Sequence, residues 1–339
     1  MDRRQFLKDA STLGSAAIVG PSLLKAVSFA APSGTTQVAF VKTTDRAAGV
    51  RRAIELLGMN RFSGKDLFIK PNFNSADAPP GSTHQDTLAA IVRSLKGMGS
   101  GPITIGDRSG MGNTREVMQQ KNAFTLGKEL GASVIVFDDL KTDDWELIQQ
   151  SDMHWQQGFA VPRVVRKAGA IVQTCNLKTH RFGGHFTLSL KNSVGLAAKY
   201  VPGNPYNFMR ELHSSADQRR MIAEINTAYH PDLIVLDGVQ AFVNGGPEQG
   251  KLVESNVVLA GTDRIAIDAV GVALLRHFGT TPEVSRGAIF DQEQIARAVQ
   301  LKIGVSSAKQ IELVTGDKES ADYAKQIREL LDGAPAAKA

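Results

Sequence analysis

Cys175 is the single cysteine of this 339-residue chain. One thiol excludes an intramolecular disulfide, a four-cysteine zinc site and an iron–sulfur cluster held by cysteines of this chain alone. Beside an apolar run it reads as a small buried hydrophobe. No stretch beyond residue 30 approaches the ~20 apolar residues that cross a bilayer, so no membrane span is expected in the mature chain. Charge of one sign is not concentrated either. Lys and Arg number 39 against 34 Asp and Glu, a net charge of +5 to which the first residues contribute. That balance is too mild and scattered for a nucleic-acid partner. There is no Gly-Lys-Ser/Thr phosphate loop, no dinucleotide glycine fingerprint and no His-x-x-x-His helix. With 42% hydrophobic and 22% charged residues, the chain is an ordinary globular one.

The first thirty residues stand apart from the rest. Arg3 and Arg4 precede Phe6 and Leu7, an uncharged and mostly apolar stretch follows, and Ser28-Phe29-Ala30 offers small residues to a signal peptidase. Basic, apolar, small is the order of a secretory signal, and paired arginines resemble the twin-arginine class, a receptor-read address rather than an anchor. Residues 1–30 are expected to be a signal peptide handled by the twin-arginine translocase, which places the mature protein in the periplasm.

Residues 36–330 read as a single α/β domain. Apolar runs of strand length occur at residues 37–41, 66–69, 102–105, 133–137, 170–172, 232–236 and 257–260, and most are separated by amphipathic helical segments. This alternation predicts a doubly wound, mostly parallel sheet with helices on both faces. Asp45 and Asp263 occupy N-cap positions, and Ser82 with Gln85 has capping-box spacing. Asn244-Gly245-Gly246-Pro247 reads as a turn between extended segments. Residues 139–162, with Trp145 and Trp155, break the pattern and predict a small irregular insertion, either a protruding subregion or a hairpin. The Ala/Lys-rich end, residues 331–339, predicts a disordered tail.

Four strand ends deliver polar groups: Lys70, Asn72 and Asn74; Asp107 and Arg108; Asn176, Lys178 and His180; and Asp237. The carboxyl ends of parallel strands share one edge, where ligands bind. Lysine and arginine beside side-chain amides suit a carboxylate or phosphate. Lys70, Asn72, Asn74, Arg108, Asn176, Asn192 and Gly246 are therefore the candidate ligand-binding residues. His180, Lys178 and Lys191 are the candidate catalytic residues, since an imidazole titrates near working pH and a desolvated lysine serves as base or nucleophile. Asp107 and Asp237 would orient the histidine or ligate a divalent metal. Residues 106–113, between a strand and a helix start, read as an anion-accepting turn. Asp268, in an apolar stretch, needs a buried partner, and one of the site lysines is expected to provide it.

The order of Lys70-Pro71-Asn72, Gly106-Asp107, Leu177-Lys178-Thr179-His180, Leu190-Lys191-Asn192 with Gly195, His213, Asp237-Gly238, Gly246-Pro247 with Gly250, and Asp263 with Asp268 resembles one bacterial and archaeal family, catalogued as domain of unknown function 362. The likeness spans roughly residues 37–280. It implies a shared site at those residues and lends no particular reaction. Many members carry a ferredoxin-like cluster module, from which this chain departs with its lone cysteine. Three functions follow. The first is an exported enzyme acting on a small anionic ligand, with or without a divalent metal. The second is a non-catalytic periplasmic binding protein, or a maturation factor for a metal or redox enzyme. The third is a lysine-dependent racemase or lyase of a hydroxy acid.

Overall fold

The computed structural model describes residues 34–333, so the expected signal peptide lies outside the described residues. Its strands are β1 (Thr36–Lys42), β2 (Leu67–Lys70), β3 (Ile103–Asp107), β4 (Ser133–Val136), β5 (Trp145–Ile148), β6 (Phe159–Pro162), β7 (Ala170–His180), β8 (His185–Thr187), β9 (Leu233–Gly245), β10 (Gly250–Gly261) and β11 (Ile311–Val314). Nine of them form one sheet in the order β11-β1-β10-β9-β7-β2-β3-β4, with β8 paired to β7. Strands β9, β7, β2, β3 and β4 are mutually parallel, as are β1 and β11. β10 is antiparallel to both neighbours, and β8 turns back antiparallel on β7. The sheet is mostly parallel, as the alternation of elements predicts.

Side-chain parity shows why both faces are covered. A strand sends successive residues to opposite faces. Val38 and Phe40 of β1, Ile234 and Leu236 of β9, and Val257 and Leu259 of β10 pack with helices Arg264–His277, Glu293–Gln300 and Lys318–Leu331. The intervening Ala39, Val41, Leu233, Val235, Val258 and Ala260 pack with helices Arg46–Leu56 and Gln85–Gly97 on the other face. Burial of each such Val, Leu, Ile or Phe contributes roughly 1.5–3 kcal/mol, so two filled faces are needed to hold a parallel sheet. Within the inserted segment β5 and β6 pair as an antiparallel hairpin, which packs Trp145 and Phe159 against Phe68 and Phe137. Phe68 and Phe137 stack with ring centroids 5.9 Å apart.

Asp45 and Asp263 cap their helices, accepting from Ala48 N and Ala266 N. The capping box does not form. His84 Nδ1 accepts from Asp86 N instead, while the Ser82 hydroxyl donates to the Ser75 carbonyl and so closes the loop before the helix. At the C-terminus the last helix runs through Leu331, because Ile327, Leu330 and Leu331 are its buried stripe, and residues 334–339 of the expected tail lie outside the described residues.

The main departure concerns β7. The sequence ends this strand near Val172, yet it continues to His180 with every residue buried. Cys175 and Leu177 face the core of the Arg264–His277 helix, while the alternate residues Lys178 and His180 turn to the opposite side. β2 pairs with β7 through Lys70 opposite Gln173, so β7 overhangs β2 beyond that point. Strand order also reverses there: β3 and β4 lie to one side of β2, whereas β7 and β9 lie to the other. Open α/β sheets bind ligands at this kind of reversal, beyond the strand carboxyl ends.

Candidate functional site

A cavity of about 610 Å³ opens at the reversal and is lined by residues from β2, β3, β7, the short helix Ser189–Asn192 and the helix Phe208–Ser214. That volume is ample for a small organic ligand. Among the predicted site residues, Lys70, Asn72, Asn74, Asp107, Arg108, Lys178, His180, Lys191 and Asn192 all line it. Their bonding divides them into two sets.

The first set is closed on itself. Lys70 Nζ lies 2.7 Å from Asp107 Oδ1, 2.6 Å from the Pro71 carbonyl and 3.2 Å from Asn192 Oδ1, which uses all three ammonium protons. Asp107 accepts from the amides of Arg108 and Phe73, each at 2.7 Å, as well as from Lys70. Burial raises the Asp107 carboxyl and lowers the Lys70 ammonium, and each restrains the other's shift. Asn192 accepts from Asn72 Nδ2 and donates to the Thr174 carbonyl. Arg108 donates to the carbonyls of Ala197, Ser109 and Val194, clamping the strand end onto the segment after the short helix. Its charge contributes field, but its guanidinium is already bonded. The close fit explains Gly195, where a Cβ would stand 2.6 Å from Asp107 Oδ1 and 2.7 Å from Lys70 Nζ.

The second set is open. Lys178 is 0% exposed and its Nζ makes one hydrogen bond, to the Gly81 carbonyl at 2.5 Å. Burial, and then the neighbouring Lys191, pull its ammonium down to about 7. Lys191 is buried in an ammonium-unfriendly setting and falls to about 8, with the Arg108 charge adding to the effect. Among the described residues no carboxylate forms an ion pair with either lysine. His180 has a buried Nδ1 without a partner, and burial plus the charges of Lys191 and Lys178 draw it well below the usual imidazole range. It is thus neutral at neutral pH before a ligand binds, with Nδ1 free to accept a proton. Asn72 Oδ1, Asn74 Nδ2 and Thr187 Oγ1, all on cavity-lining residues, are buried and unpartnered as well. Gly184 has no side chain because a Cβ there would meet Lys191 Cε at 2.4 Å and His180 Nδ1 at 3.1 Å.

Three predicted residues lie elsewhere. Asp237, paired with Asn176, points under the helices Arg46–Leu56 and Gln85–Gly97 rather than into the cavity, and there Arg46 Nε and Thr87 Oγ1 donate to Oδ2 at 2.9 and 2.7 Å. A register irregularity after Asn176–Asp237 separates it from the edge that carries Lys178. Asn176 donates to the Pro80 carbonyl and does not line the cavity. Gly246 closes the β9–β10 turn against β7: a Cβ there would sit 2.0 Å from the Thr179 carbonyl, and its φ is +63°. Its neighbour Pro247 reaches the cavity instead. The metal expectation weakens with these positions. Each oxygen of Asp107 and of Asp237 already accepts a hydrogen bond. Among the described residues no cluster of three or more His, Cys, Asp or Glu side chains is arranged to hold an ion.

Other expectations change in the same region. Asp268 does not pair with a lysine. It accepts from Ser189 N at 2.7 Å and Leu190 N at 3.1 Å, anchoring the turn that presents Lys191, and burial pushes it up to about 8. The amides of Arg108, Ser109 and Met111 in the 106–113 turn are bonded internally, to Asp107, Thr114 and the Asn74 carbonyl, which removes them as anion donors. Lys199, Arg210, Asn207 and Phe182 line the cavity without having been predicted. His213, which belongs to the family pattern, also lines it. Its Nδ1 lies 2.7 Å from the Met209 carbonyl, so Nδ1 carries the proton and Nε2 is the free acceptor.

Fold and site together define an α/β protein with a cation-rich cavity at the carboxyl ends of parallel strands. The chain belongs to the family described as domain of unknown function (DUF362), whose sequence profile matches residues 67–273. It is 25% identical over 237 residues to the thylakoid-associated protein sll1697 of Synechocystis sp., an alignment covering 68% of this chain and 70% of the relative. Superposition on the lactate racemase apoprotein from Thermoanaerobacterium thermosaccharolyticum gives a TM-score of 0.43 at 14% identity, covering 89% of this chain and 91% of that one.

Proposed function

We propose that this protein is an exported enzyme whose cavity binds a small carboxylate or phosphate compound. The observation that carries this reading is the pair Lys178 and Lys191, two buried lysines facing one cavity without a carboxylate between them. Desolvation and mutual repulsion oppose their charged forms. An anion placed between them relieves both effects at once, whereas the Lys70–Asp107 pair has no such need. Asn74 Nδ2 supplies an unpartnered donor in the same wall, and Lys199 and Arg210 extend positive charge along the cavity lining. His180 and His213, both neutral, are placed to accept a proton from the bound compound. Export rests on the Arg3-Arg4 leader.

The test is thermal unfolding of the protein against a panel of hydroxy acids, oxo acids, dicarboxylates and phosphate esters, with turnover assayed for each compound that protects. A ligand at 100 times its Kd stabilises by about 2.7 kcal/mol, a shift of several degrees. Protection that disappears in Lys191→Gln supports the reading. Protection without turnover would return the protein to the non-catalytic binding class. A flat response across the panel would remove the anionic ligand altogether.

A further inference from the structure

Lys178 is bonded unlike the other buried lysine of the cavity. A structural lysine in a core finds a carboxylate and fills its three donor positions, as Lys70 does with Asp107, Pro71 and Asn192. Lys178 has one acceptor, the Gly81 carbonyl, and among the described residues no carboxylate forms an ion pair with it, while the charge of Lys191 opposes its ammonium form. We propose that Lys178 is a nucleophile that forms a Schiff base with a carbonyl compound bearing a carboxylate or phosphate, the anionic group being held by Lys191. This deepens the anionic-ligand reading, and rests on it, by naming a bond and a substrate class.

The chemistry fits the groups present. A neutral amine donates one N–H to the Gly81 carbonyl and keeps its lone pair for the cavity. A lysine that is desolvated and adjacent to a second cation is activated in this way. The charged and titratable groups whose fields reach Lys178 are Lys191, the Cys175 thiol, Asp77 and Glu248, and the last is tied to Arg181. The lone pair attacks the carbonyl carbon, a C–N bond forms, and the π pair moves to the oxygen, which takes a proton from solvent. Nitrogen then passes one proton to the unpartnered imidazole nitrogen of His180, two residues along the same face of β7. That proton returns to the hydroxyl, which leaves as water, and the nitrogen lone pair closes the C=N bond. Amine, carbonyl and one proton give iminium and water, with no oxidant or reductant required. The iminium then withdraws electrons from the adjacent carbon, the step on which decarboxylation, aldol cleavage or proton exchange would draw. Lys191, whose ammonium has no hydrogen-bonding partner among the described residues, keeps the counter-charge for the carboxylate or phosphate.

The experiment uses the folded protein with glyoxylate as probe and cyanoborohydride as trapping reductant, followed by peptide mapping by mass spectrometry. The expected product is a secondary amine at Lys178, at least ~10-fold more abundant than at exposed Lys251. Oxalate, an unreactive anion, should suppress it, and its yield should climb between pH 6 and 8. Lys191→Gln should lower trapping at Lys178 by about tenfold without moving it to another residue. Labelling confined to exposed lysines, or to Lys191, while oxalate still binds saturably in calorimetry would overturn the Schiff base and leave the anionic-ligand reading standing. No saturable binding of oxalate or glyoxylate would overturn both. Because the wild-type protein is mapped directly, the result does not depend on whether a Lys178 variant folds.

Discussion

Two lysine-centred groups share the walls of one cavity, and they are finished differently. Around Lys70 every donor meets an acceptor, the aspartate accepts from three donors, and the asparagine at its side is bonded at both ends. Among the described residues no carboxylate forms an ion pair with Lys178 or Lys191, and atoms of His180, Asn72, Asn74 and Thr187 are buried without partners. Both groups cost desolvation. Only the first recovers it within the protein, so the first is scaffold and the second is where an outside molecule completes the bonding. Buried polar groups in folded proteins are nearly always satisfied, and a cluster of exceptions on one cavity wall points to a ligand.

The contrast can be broken from either side. Asp107→Ala should be the most damaging change, because it leaves the Lys70 ammonium buried and unpaired. A loss of about 3–5 kcal/mol in urea denaturation is expected. Gly195→Ala should cost about 1–3 kcal/mol in the same assay, since its methyl group would intrude on the Lys70–Asp107 pair. Lys178→Met, by comparison, should leave stability unchanged or raise it by about 1 kcal/mol at pH 7, as an apolar chain of similar volume replaces a desolvated amine.

That last gain should depend on pH in a defined direction. The Lys178 ammonium is held at about 7 in the folded protein, against 10.5 ordinarily. Between those values the unfolded chain carries more protons, so the wild type gains stability as pH rises. The advantage of Lys178→Met should be greatest at pH 7 and below and should shrink toward pH 10. Removing Lys178 also lifts its repulsion of Lys191, which adds to the advantage at low pH and fades as the lysines lose their protons. Anion affinity should move the opposite way, falling by about tenfold from pH 7 to pH 9 as the two lysines lose their protons. An affinity independent of pH over that range would mean that neither lysine holds the anion.

The sheet was legible because each strand sorts its apolar residues by parity, and Lys178 and His180 share a parity that sends them to one wall. The length of β7 was hidden because residues 176–180 have polar types common in loops. Here they face a cavity and a bonded loop, so they stay in the strand. Asp237 was misplaced because the register irregularity beside it leaves no mark in composition. Asp268 found backbone amides rather than a lysine, and amide partners have no residue signature. Lys199, Asn207 and Arg210 reach the cavity by the path of the chain into the helix Phe208–Ser214, which no local pattern announces. The division between the closed and open lysines was equally invisible, since Lys70, Lys178 and Lys191 look alike until their partners are known.

The central claim is that the open wall, and not the closed network or the Asp237 cluster, holds the anion. Calorimetric titration of oxalate at pH 7 into wild type, Lys191→Gln and Asp237→Asn tests it directly. The account predicts saturable binding that weakens at least ~10-fold in Lys191→Gln and is unchanged in Asp237→Asn, whose carboxylate serves Arg46 and Thr87 away from the cavity. Equal affinities in all three proteins, or a loss confined to Asp237→Asn, would contradict it.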